Sequence, residues 1–442
     1  MTSTTATNLV IPLFIEKARE GTYFTVPFRM PPDIENLTLS YSYEHQRENN
    51  EAVSAGKFVS KEKNNWVDLG LIAPDGTQVG ASGSVRPEIF ISATAATPGY
   101  KPHELTAGEW QILVGAYKIA PEGVKVTYEL KMTPKRLRLF KGDLHMHTLA
   151  SDGVQTAEEL GLRALRHGLD FLTITDHNQS ISTDSLPKID GVTIFPGLEW
   201  TLYKGHANFL GSEQPYEGSF IANTPAEILA HFESARRSGA TIVINHPYDE
   251  DYPFTFDLDT LPYDLIEVWN GPMREANLKA VGLWHSMLMV GKKVPVCGGS
   301  DFHRDTPLLF LGGPTTCVYA KSQSPVDILT ALRQGHAFIT FEPNGPLLQM
   351  SAGEAFLGDS LAWSERKELF ISLDGLLKGD VVRLVTNETA TVILQAPADG
   401  HFELSYSLSA PGFARVELLR AFMPGLPLLP VLLSNPMYFD AK

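Results

Sequence analysis

Hydrophobic and polar residues alternate in a strand-like rhythm over the first part of the chain. Segments 23–28, 37–43, 66–72, 110–115 and 124–130 each contain alternating apolar positions and are separated by turns. A period of two is typical of strands with one buried face. The pattern contains no capped helix of comparable strength, so we predict an N-terminal β-sandwich domain over residues 1–136.

The pattern changes between residues 138 and 345, where apolar strand-like runs alternate with helix signals. Residues 156–159 (Thr-Ala-Glu-Glu) and 224–227 (Thr-Pro-Ala-Glu) have the form of capping boxes, and apolar residues at helical spacing follow each of them. Strand, capped helix and strand in succession indicate a parallel sheet. Strand-like runs return at 369–373 and 381–385, and we predict a small C-terminal β-rich domain over residues 346–442.

A metal-binding pattern opens the middle segment. In residues 142–153 (Gly-Asp-Leu-His-Met-His-Thr-Leu-Ala-Ser-Asp-Gly), Asp143, His145 and His147 occupy alternate positions. On an extended strand these three side chains share one face, so two imidazole rings would converge on one ion. The alternative is an ordinary exposed strand, which the His-x-His pattern alone does not exclude.

The same pattern recurs further along the chain. Four later apolar runs end in a histidine or a carboxylate, at 171–178, 192–199, 241–247 and 294–303. Together with a histidine that enters the short run 205–211, their candidate ligands are His177, Glu199, His206, His246, Asp301 and His303. In a βα barrel the C-terminal ends of the strands face a common mouth, so these strand ends imply one shared site.

These segments, in this order, resemble the PHP (polymerase and histidinol phosphatase) metallohydrolases over residues 138–345. Within that superfamily, Asp-Leu-His-x-His-Thr, Ser-Asp-Gly, Thr-Asp-His-Asn and Gly-Gly-Ser-Asp-Phe-His are similar to motifs of the CehA/McbA branch, which is named for carbaryl hydrolases. The resemblance implies an α/β fold class, with a PHP-type distorted (β/α)7 barrel between the two β-rich domains. It also implies three metal positions, formed by His145, His147, Glu199 and Asp301, by Glu199, His206 and His246, and by Asp152, His177 and His303.

The ligand types indicate which ions such a site would bind. Imidazole nitrogens and carboxylate oxygens, without a thiolate, suit Zn, Mn or Fe and argue against Cu(I) or an iron–sulfur cluster. We predict two or three divalent ions, two of them bridged by the two oxygens of Glu199. Because neighbouring ions lower the pKa of a shared water, we predict hydrolysis by a metal-bridging hydroxide, with Glu199, Asp301 and His246 as the catalytic residues.

Polar residues beside these ligands are candidates for orienting them, since a metal-bound histidine usually donates its second ring N–H to a carboxylate or carbonyl. The candidates are Asp143, Asp176 and Asn245, which could equally serve the local backbone at turns and strand ends. Four further residues flank the ligand strands or their loops. They could hold an anionic substrate oxygen or simply be solvated, and they are Lys204, Tyr203, Arg304 and His336.

Composition narrows the set of partners. The chain has 442 residues, of which 43% are hydrophobic and 20% charged, as expected for a soluble protein of two or three domains. A formal net charge of −15 disfavours attraction to nucleic acids and to anionic membranes. Two cysteines give no disulfide framework, and residues 1–20 lack the features of a signal peptide or a membrane span, so we expect a cytoplasmic location.

Three functions remain open. The first is a phosphoesterase acting on a small-molecule phosphomonoester or phosphodiester, as the superfamily resemblance implies. The second is a hydrolase of carbamate or carboxylic esters, as the CehA/McbA resemblance implies, and the same ligand geometry would serve both. The third is a non-catalytic, metal-stabilised binding module. The sequence has no P-loop and no dinucleotide fingerprint, and it has no nucleophile elbow, so covalent catalysis is unsupported. It leaves the oligomeric state open.

Overall fold

The structure, a computed structural model, describes residues 6–45, 64–83, 86–364 and 367–441. The chain forms two compact units, Met1–Arg136 and Leu137–Lys442. The candidate metal ligands all lie in the second unit. In the described part of the chain, no helix is both long and apolar enough to cross a membrane.

In its described residues, the first unit forms two four-stranded antiparallel sheets. Their strands are β1 (Thr7–Ile15), β2 (Thr22–Met30), β3 (Ile34–Tyr43), β4 (Trp66–Ile72), β5 (Gln78–Ala81), β6 (Glu88–Ser92), β7 (Gly108–Lys118) and β8 (Val124–Pro134). One sheet has the order β1-β8-β3-β6 and the other β2-β7-β4-β5. Both sheets contribute to a single apolar core that includes Leu39, Trp110 and Tyr128. The alternating pattern arises because one face of each sheet is buried in this core.

The second unit is built on a long mixed sheet. Its first strands are β9 (Arg138–Asp143), β10 (Phe171–Ile174), β11 (Thr193–Leu202), β12 (Gly205–Leu210), β13 (Thr241–Ile244), β14 (Leu265–Asn270), β15 (Val296–Gly299), β16 (Thr315–Ala320) and β17 (Ala337–Thr340). They lie in the order β15-β14-β13-β12-β11-β10-β9-β16-β17. Strands β9 to β11 are parallel to one another, as are β13 to β15, whereas β12 runs antiparallel to both of its neighbours.

Four α-helices connect strands of this sheet. They are α1 (Ala157–His167), α2 (Pro225–Arg237), α3 (Glu275–Met289) and α4 (Pro325–Arg333). The capping boxes predicted at two of them are confirmed: Thr156 and Glu159 exchange side-chain and backbone hydrogen bonds before α1, and Thr224 and Glu227 do so before α2. Between β11 and β12 the chain makes only a two-residue turn. The α/β character is therefore present, whereas the distorted (β/α)7 barrel remains a prediction.

The loops that follow β9 and β15 lie side by side, although these strands are far apart in the sheet order. The backbone N–H of Asp301 donates to the carbonyl of His145 at 2.9 Å, and that of His147 donates to the carbonyl of Phe302 at 2.9 Å. These bonds bring the first and last candidate ligand motifs of the sequence into direct contact.

The C-terminal strands are divided between the same sheet and a separate one. They are β18 (Leu347–Ala352), β19 (Ala355–Phe356), β20 (Ser360–Ala362), β21 (Lys367–Leu376), β22 (Val381–Thr386), β23 (Ala390–Gln395), β24 (Gly400–Leu408), β25 (Gly412–Arg420), β26 (Leu429–Ser434) and β27 (Met437–Asp440). Strand β26 pairs with β17, and β25, β22 and β23 extend the sheet beyond it. A separate sheet of order β19-β18-β21-β24 shares its apolar core with Phe338 of β17. The domain boundary predicted at residues 345 and 346 stays a prediction.

Candidate metal centre

The candidate ligands arrive at one place from six segments of the second unit. His145 and His147 follow β9, His177 follows β10, and Asp301 and His303 follow β15. Glu199 lies within β11, His206 lies within β12 and His246 follows β13. Asp152 reaches the same place from the loop after His147. Most of these side chains are buried, because the surrounding strands are apolar runs that pack on both faces.

Glu199 lies at the centre of the cluster and is 1% exposed. Its Oε1 is 3.2 Å from His145 Nε2, 3.2 Å from His206 Nδ1 and 3.5 Å from His246 Nε2. Its Oε2 is 2.7 Å from His177 Nδ1 and 3.7 Å from His147 Nε2. One carboxylate therefore faces different imidazole rings with each of its oxygens, as a bridging ligand would.

Four groups of possible ligands occur among the described residues, with the ligand atoms of each group within 4.8 Å of one another. They are His145, His147 and Glu199; His145, His246 and Asp301; Glu199, His206 and His246; and His147, Asp152, His177 and His303. The second predicted position corresponds to one of these groups. The first predicted set, His145, His147, Glu199 and Asp301, is divided between two of the groups. His147 also joins the third predicted set, Asp152, His177 and His303, because its two ring nitrogens face different neighbours.

The buried histidine nitrogens provide a test of whether this arrangement fits divalent ions. His145 Nε2, His147 Nδ1, His206 Nε2 and His246 Nδ1 are buried and make no hydrogen bond. Leaving a buried polar atom without a partner costs about 1–3 kcal/mol, so such atoms need an explanation. Four of them among carboxylates fit coordination of Zn, Mn or Fe.

The carboxylates and the imidazole rings shift one another's pKa. Burial would raise the pKa of Glu199, but His145 and hydrogen bonds from neighbouring rings hold it well below its usual value. Burial likewise opposes the shift at Asp301, whose pKa His145 and His147 hold well below its usual value. In the opposite direction, these carboxylates outweigh burial and raise the pKa of His145 well above its usual value. The site therefore combines anionic carboxylates with a strong preference for nearby positive charge.

The backbone is strained at several of these positions. In the described chain, five residues other than glycine have positive φ, and three of them are Asn178, His246 and Asp301. The φ angle is +53° at Asn178, +23° at His246 and +52° at Asp301. Such conformations cost about 1–3 kcal/mol each, and they cluster at functional sites.

The three predicted orienting residues lie beside the ligands, and each makes different contacts. Asp143 accepts hydrogen bonds from the backbone N–H groups of Ser300 and Gly312, and burial raises its pKa to about 6. Asp176 accepts from the backbone and hydroxyl of Thr148 and from the hydroxyl of Ser151, so it fixes the loop after His147.

Asn245 contacts a ligand directly. Its Nδ2 donates to Glu199 Oε1 at 2.8 Å and to Asn208 Oδ1 at 2.9 Å. Among the described residues, the hydrogen bonds of Asp143, Asp176 and Asn245 go to backbone, hydroxyl, amide and carboxylate groups and not to a ring nitrogen of a candidate ligand. A carboxylate that does contact such a nitrogen is Glu267, whose Oε1 is 3.0 Å from His145 Nδ1. The sequence contains a signal for it, a single acidic residue within the apolar run Leu265–Asn270.

A cavity of about 470 Å³ opens above the cluster. Its floor includes Glu199, His246 and Asp301, and its wall includes Tyr203 and Tyr252. Of the four predicted substrate contacts, the cavity is lined by Tyr203 and not, among the described residues, by Lys204, Arg304 or His336. His336 is engaged elsewhere, since its Nε2 is 3.0 Å from Asp359 Oδ1 and its ring lies against Phe356.

Comparison with known proteins gives distant similarities to solved structures. No family model matches the sequence, and no curated protein matches it. A two-domain protein from Bacteroides vulgatus, which contains a predicted PHP-like metal-dependent phosphoesterase, is 18% identical with a TM-score of 0.40; the match covers 68% of this chain and 95% of that one. A protein from Bifidobacterium adolescentis, provisionally named a metal-dependent phosphoesterase, is 16% identical with a TM-score of 0.30, over 43% and 96% of the two chains.

A third solved structure, an amidohydrolase from Chromobacterium violaceum with bound sulfate and no metal, is 16% identical with a TM-score of 0.26, over 38% of this chain and 89% of that one. The first two neighbours carry the names of metal-dependent phosphoesterases. Because all three TM-scores are below 0.5, the functional conclusion rests on the geometry of the site and not on these similarities.

Proposed function

We propose that this protein is a metal-dependent hydrolase whose substrates are phosphoesters of small molecules. The observation that carries the proposal is the set of four buried histidine nitrogens without hydrogen bonds, gathered with Glu199 and Asp301 below an open cavity. Such a donor set suits two or three divalent ions. Bound ions would supply Lewis acidity, lowering the pKa of water and neutralising the oxygens of the attacked group.

The residues of the chain have separable roles in this proposal. Seven side chains would hold the ions together with the carboxylates of Glu199 and Asp301. They are His145, His147, Asp152, His177, His206, His246 and His303. Glu199 would bind ions held by two groups of rings, because its two oxygens face different histidines. Asp301 lines the cavity beside the other proposed ligands, where its carboxylate would accept a proton from the attacking water.

A second candidate is hydrolysis of carbamate or carboxylic esters, and the cavity wall favours it. Tyr203, Phe220 and Tyr252 line the wall, and the Tyr252 ring stacks on His206 at 5.4 Å between centroids. Among the described lining residues there is no lysine or arginine, and Asp249 adds a further carboxylate. Such a wall suits a substrate with a planar apolar group and little negative charge.

The test measures metal content and hydrolysis on the same purified sample. The substrates are p-nitrophenyl phosphate, bis-p-nitrophenyl phosphate and 1-naphthyl methylcarbamate, with added Mn²⁺ or Zn²⁺. We expect two or three metal ions per chain and phosphoester turnover that is lost on chelation and restored by the metal. Turnover of the carbamate alone would favour the second candidate.

Two other outcomes would contradict catalysis. Protein that binds metal stoichiometrically yet hydrolyses neither nitrophenyl phosphates nor naphthyl esters would support a non-catalytic binding module. Protein that is metal-free and cannot be reconstituted would contradict the assignment of the metal centre itself.

A further inference from the structure

Glu267 is a buried carboxylate that belongs to none of the proposed ligand sets. It lies in the middle of β14, between Ile266 and Val268, and is 2% exposed. An acidic side chain inside an apolar strand is costly unless hydrogen-bond donors surround it. Its surroundings therefore indicate what it does.

Both oxygens of Glu267 accept hydrogen bonds from the site. Oε1 lies 3.0 Å from Nδ1 of His145. Oε2 accepts from the backbone N–H of His246 at 3.1 Å and from Nδ2 of Asn270 at 3.1 Å. Two of these three donors belong to proposed metal ligands.

The contact with His145 decides which ring nitrogen carries the proton. A carboxylate can only accept at this position, so Nδ1 of His145 must be the donor. The other nitrogen, Nε2, is then free of its proton in the neutral ring, and it lies 3.2 Å from Glu199 Oε1 and 3.4 Å from Asp301 Oδ1. Nε2 is one of the buried nitrogens without a hydrogen bond, so Glu267 presents it in the form that binds a metal.

The remaining contacts reach two more ligands. The hydrogen bond to the backbone of His246 holds a residue whose φ is +23°. Asn270 donates both to Glu267 Oε2 and, at 3.3 Å, to Asp301 Oδ2. Directly or through Asn270, the Glu267 carboxylate therefore connects three proposed ligand residues that follow three different strands, β9, β13 and β15.

We infer that Glu267 is a positioning residue of the metal centre: it fixes the tautomer and ring orientation of His145 and, through a backbone N–H and Asn270, the placement of His246 and Asp301. The inference rests on the proposed function, because it requires that His145 and Asp301 bind metal. Partners of this kind typically change metal affinity by about 10- to 100-fold when they are lost.

The test substitutes Glu267→Gln in the full-length chain. The glutamine amide can accept from His145 Nδ1 with its oxygen, but its NH₂ group would then face the donors of His246 and Asn270. We expect Co²⁺ and Zn²⁺ affinity, measured by competition with a chromophoric chelator, to fall by about 10- to 100-fold. We also expect the visible absorption spectrum of bound Co²⁺ to change, which a general loss of stability would not cause.

Asp264→Asn provides the matched control. Asp264 precedes β14 and accepts from the backbone N–H of Ile242 at 2.9 Å and from Arg236 at 3.1 Å. Its loss should lower the melting temperature of the metal-free protein without changing Co²⁺ affinity. If Glu267→Gln does not fold, Asn270→Ala replaces it, with an expected several-fold loss of Co²⁺ affinity.

The outcomes separate this inference from the proposed function. Wild-type Co²⁺ affinity and an unchanged spectrum in the folded variant, whether Glu267→Gln or its replacement Asn270→Ala, would overturn the positioning role alone. A wild-type protein that takes up no Co²⁺ would overturn the proposed function, and this inference with it.

Discussion

Replacing Glu199 by glutamine is expected to empty two metal positions at once and to lower hydrolysis on the order of 10³-fold. The reason is that both oxygens of Glu199 face imidazole rings, with His145 and His206 on one side and His177 on the other. An amide presents only one oxygen and no negative charge, so it cannot bridge two cations. Metal ions supply several kcal/mol of transition-state stabilisation, and each 1.36 kcal/mol is about tenfold in rate.

Asp152→Asn is the matched variant for this experiment. Asp152 is 57% exposed and lies 3.2 Å from His303 and 3.6 Å from His177, at the edge of the cluster. We expect this variant to lose metal from the third predicted position only. Elemental analysis and kcat are measured on both proteins, and equal metal loss in the two would contradict the central role of Glu199.

A single methyl group at Gly299 is expected to disrupt the centre nearly as strongly. A Cβ on Gly299 would lie 2.4 Å from Cβ of His145 and 2.6 Å from Oε1 of Glu267. Neither neighbour can withdraw, since both are buried and bonded to each other. We expect Gly299→Ala to lose about 1–3 kcal/mol of stability through overpacking and to bind metal much more weakly.

Gly282→Ala is the control for that substitution. Gly282 lies on the exposed side of α3, and a Cβ there would meet nothing within 4 Å. Alanine should stabilise the helix by about 0.5–1 kcal/mol and leave metal binding unchanged. Thermal melting and metal titration of the two variants provide the comparison. Normal metal affinity in Gly299→Ala would show that the packing around His145 is not needed for the site.

The sequence predicts that the candidate metal ligands lie close together, because strand periodicity depends only on residues that are near one another in the chain. His145 and His147 share a face through their spacing alone, and ligands at the ends of apolar runs meet once those runs lie in one sheet. How the ligands are divided among the metal positions depends on residues that are far apart in the chain. His147 faces Asp301 with one nitrogen and the side of Asp152 with the other, and only the folded arrangement of three loops decides this.

The role of Glu267 was missed for a related reason. A lone glutamate in an apolar strand signals burial, but its partner in the sequence, His145, is 122 residues away. The three residues predicted instead, Asp143, Asp176 and Asn245, adjoin the candidate ligands along the chain. In the structure two of them hold the backbone or hydroxyl groups of nearby loops, which is the common role of polar residues at strand ends.

Strand direction also escapes the sequence pattern. Strands β11 and β12 are buried on both faces, so their residues show no alternation that would indicate strand direction. Only the turn at Tyr203 and Lys204 makes them antiparallel. The strand-rich character of the flanking segments was easier to predict, since one-sided burial produces a clear alternation in β8 and its neighbours.

The pairing of β17 with β26 has a consequence for anyone who wishes to isolate the part of this chain that carries the candidate metal centre. In the antiparallel register of these strands, Phe338, Ile339 and Thr340 of β17 lie opposite Ser434, Leu433 and Leu432, which come nearly 100 residues later. A truncated protein ending near residue 345 would leave this apolar edge bare, and a bare edge is a template for self-association. A soluble, active fragment should therefore be sought by trimming the chain before residue 137, with every strand after β17 retained.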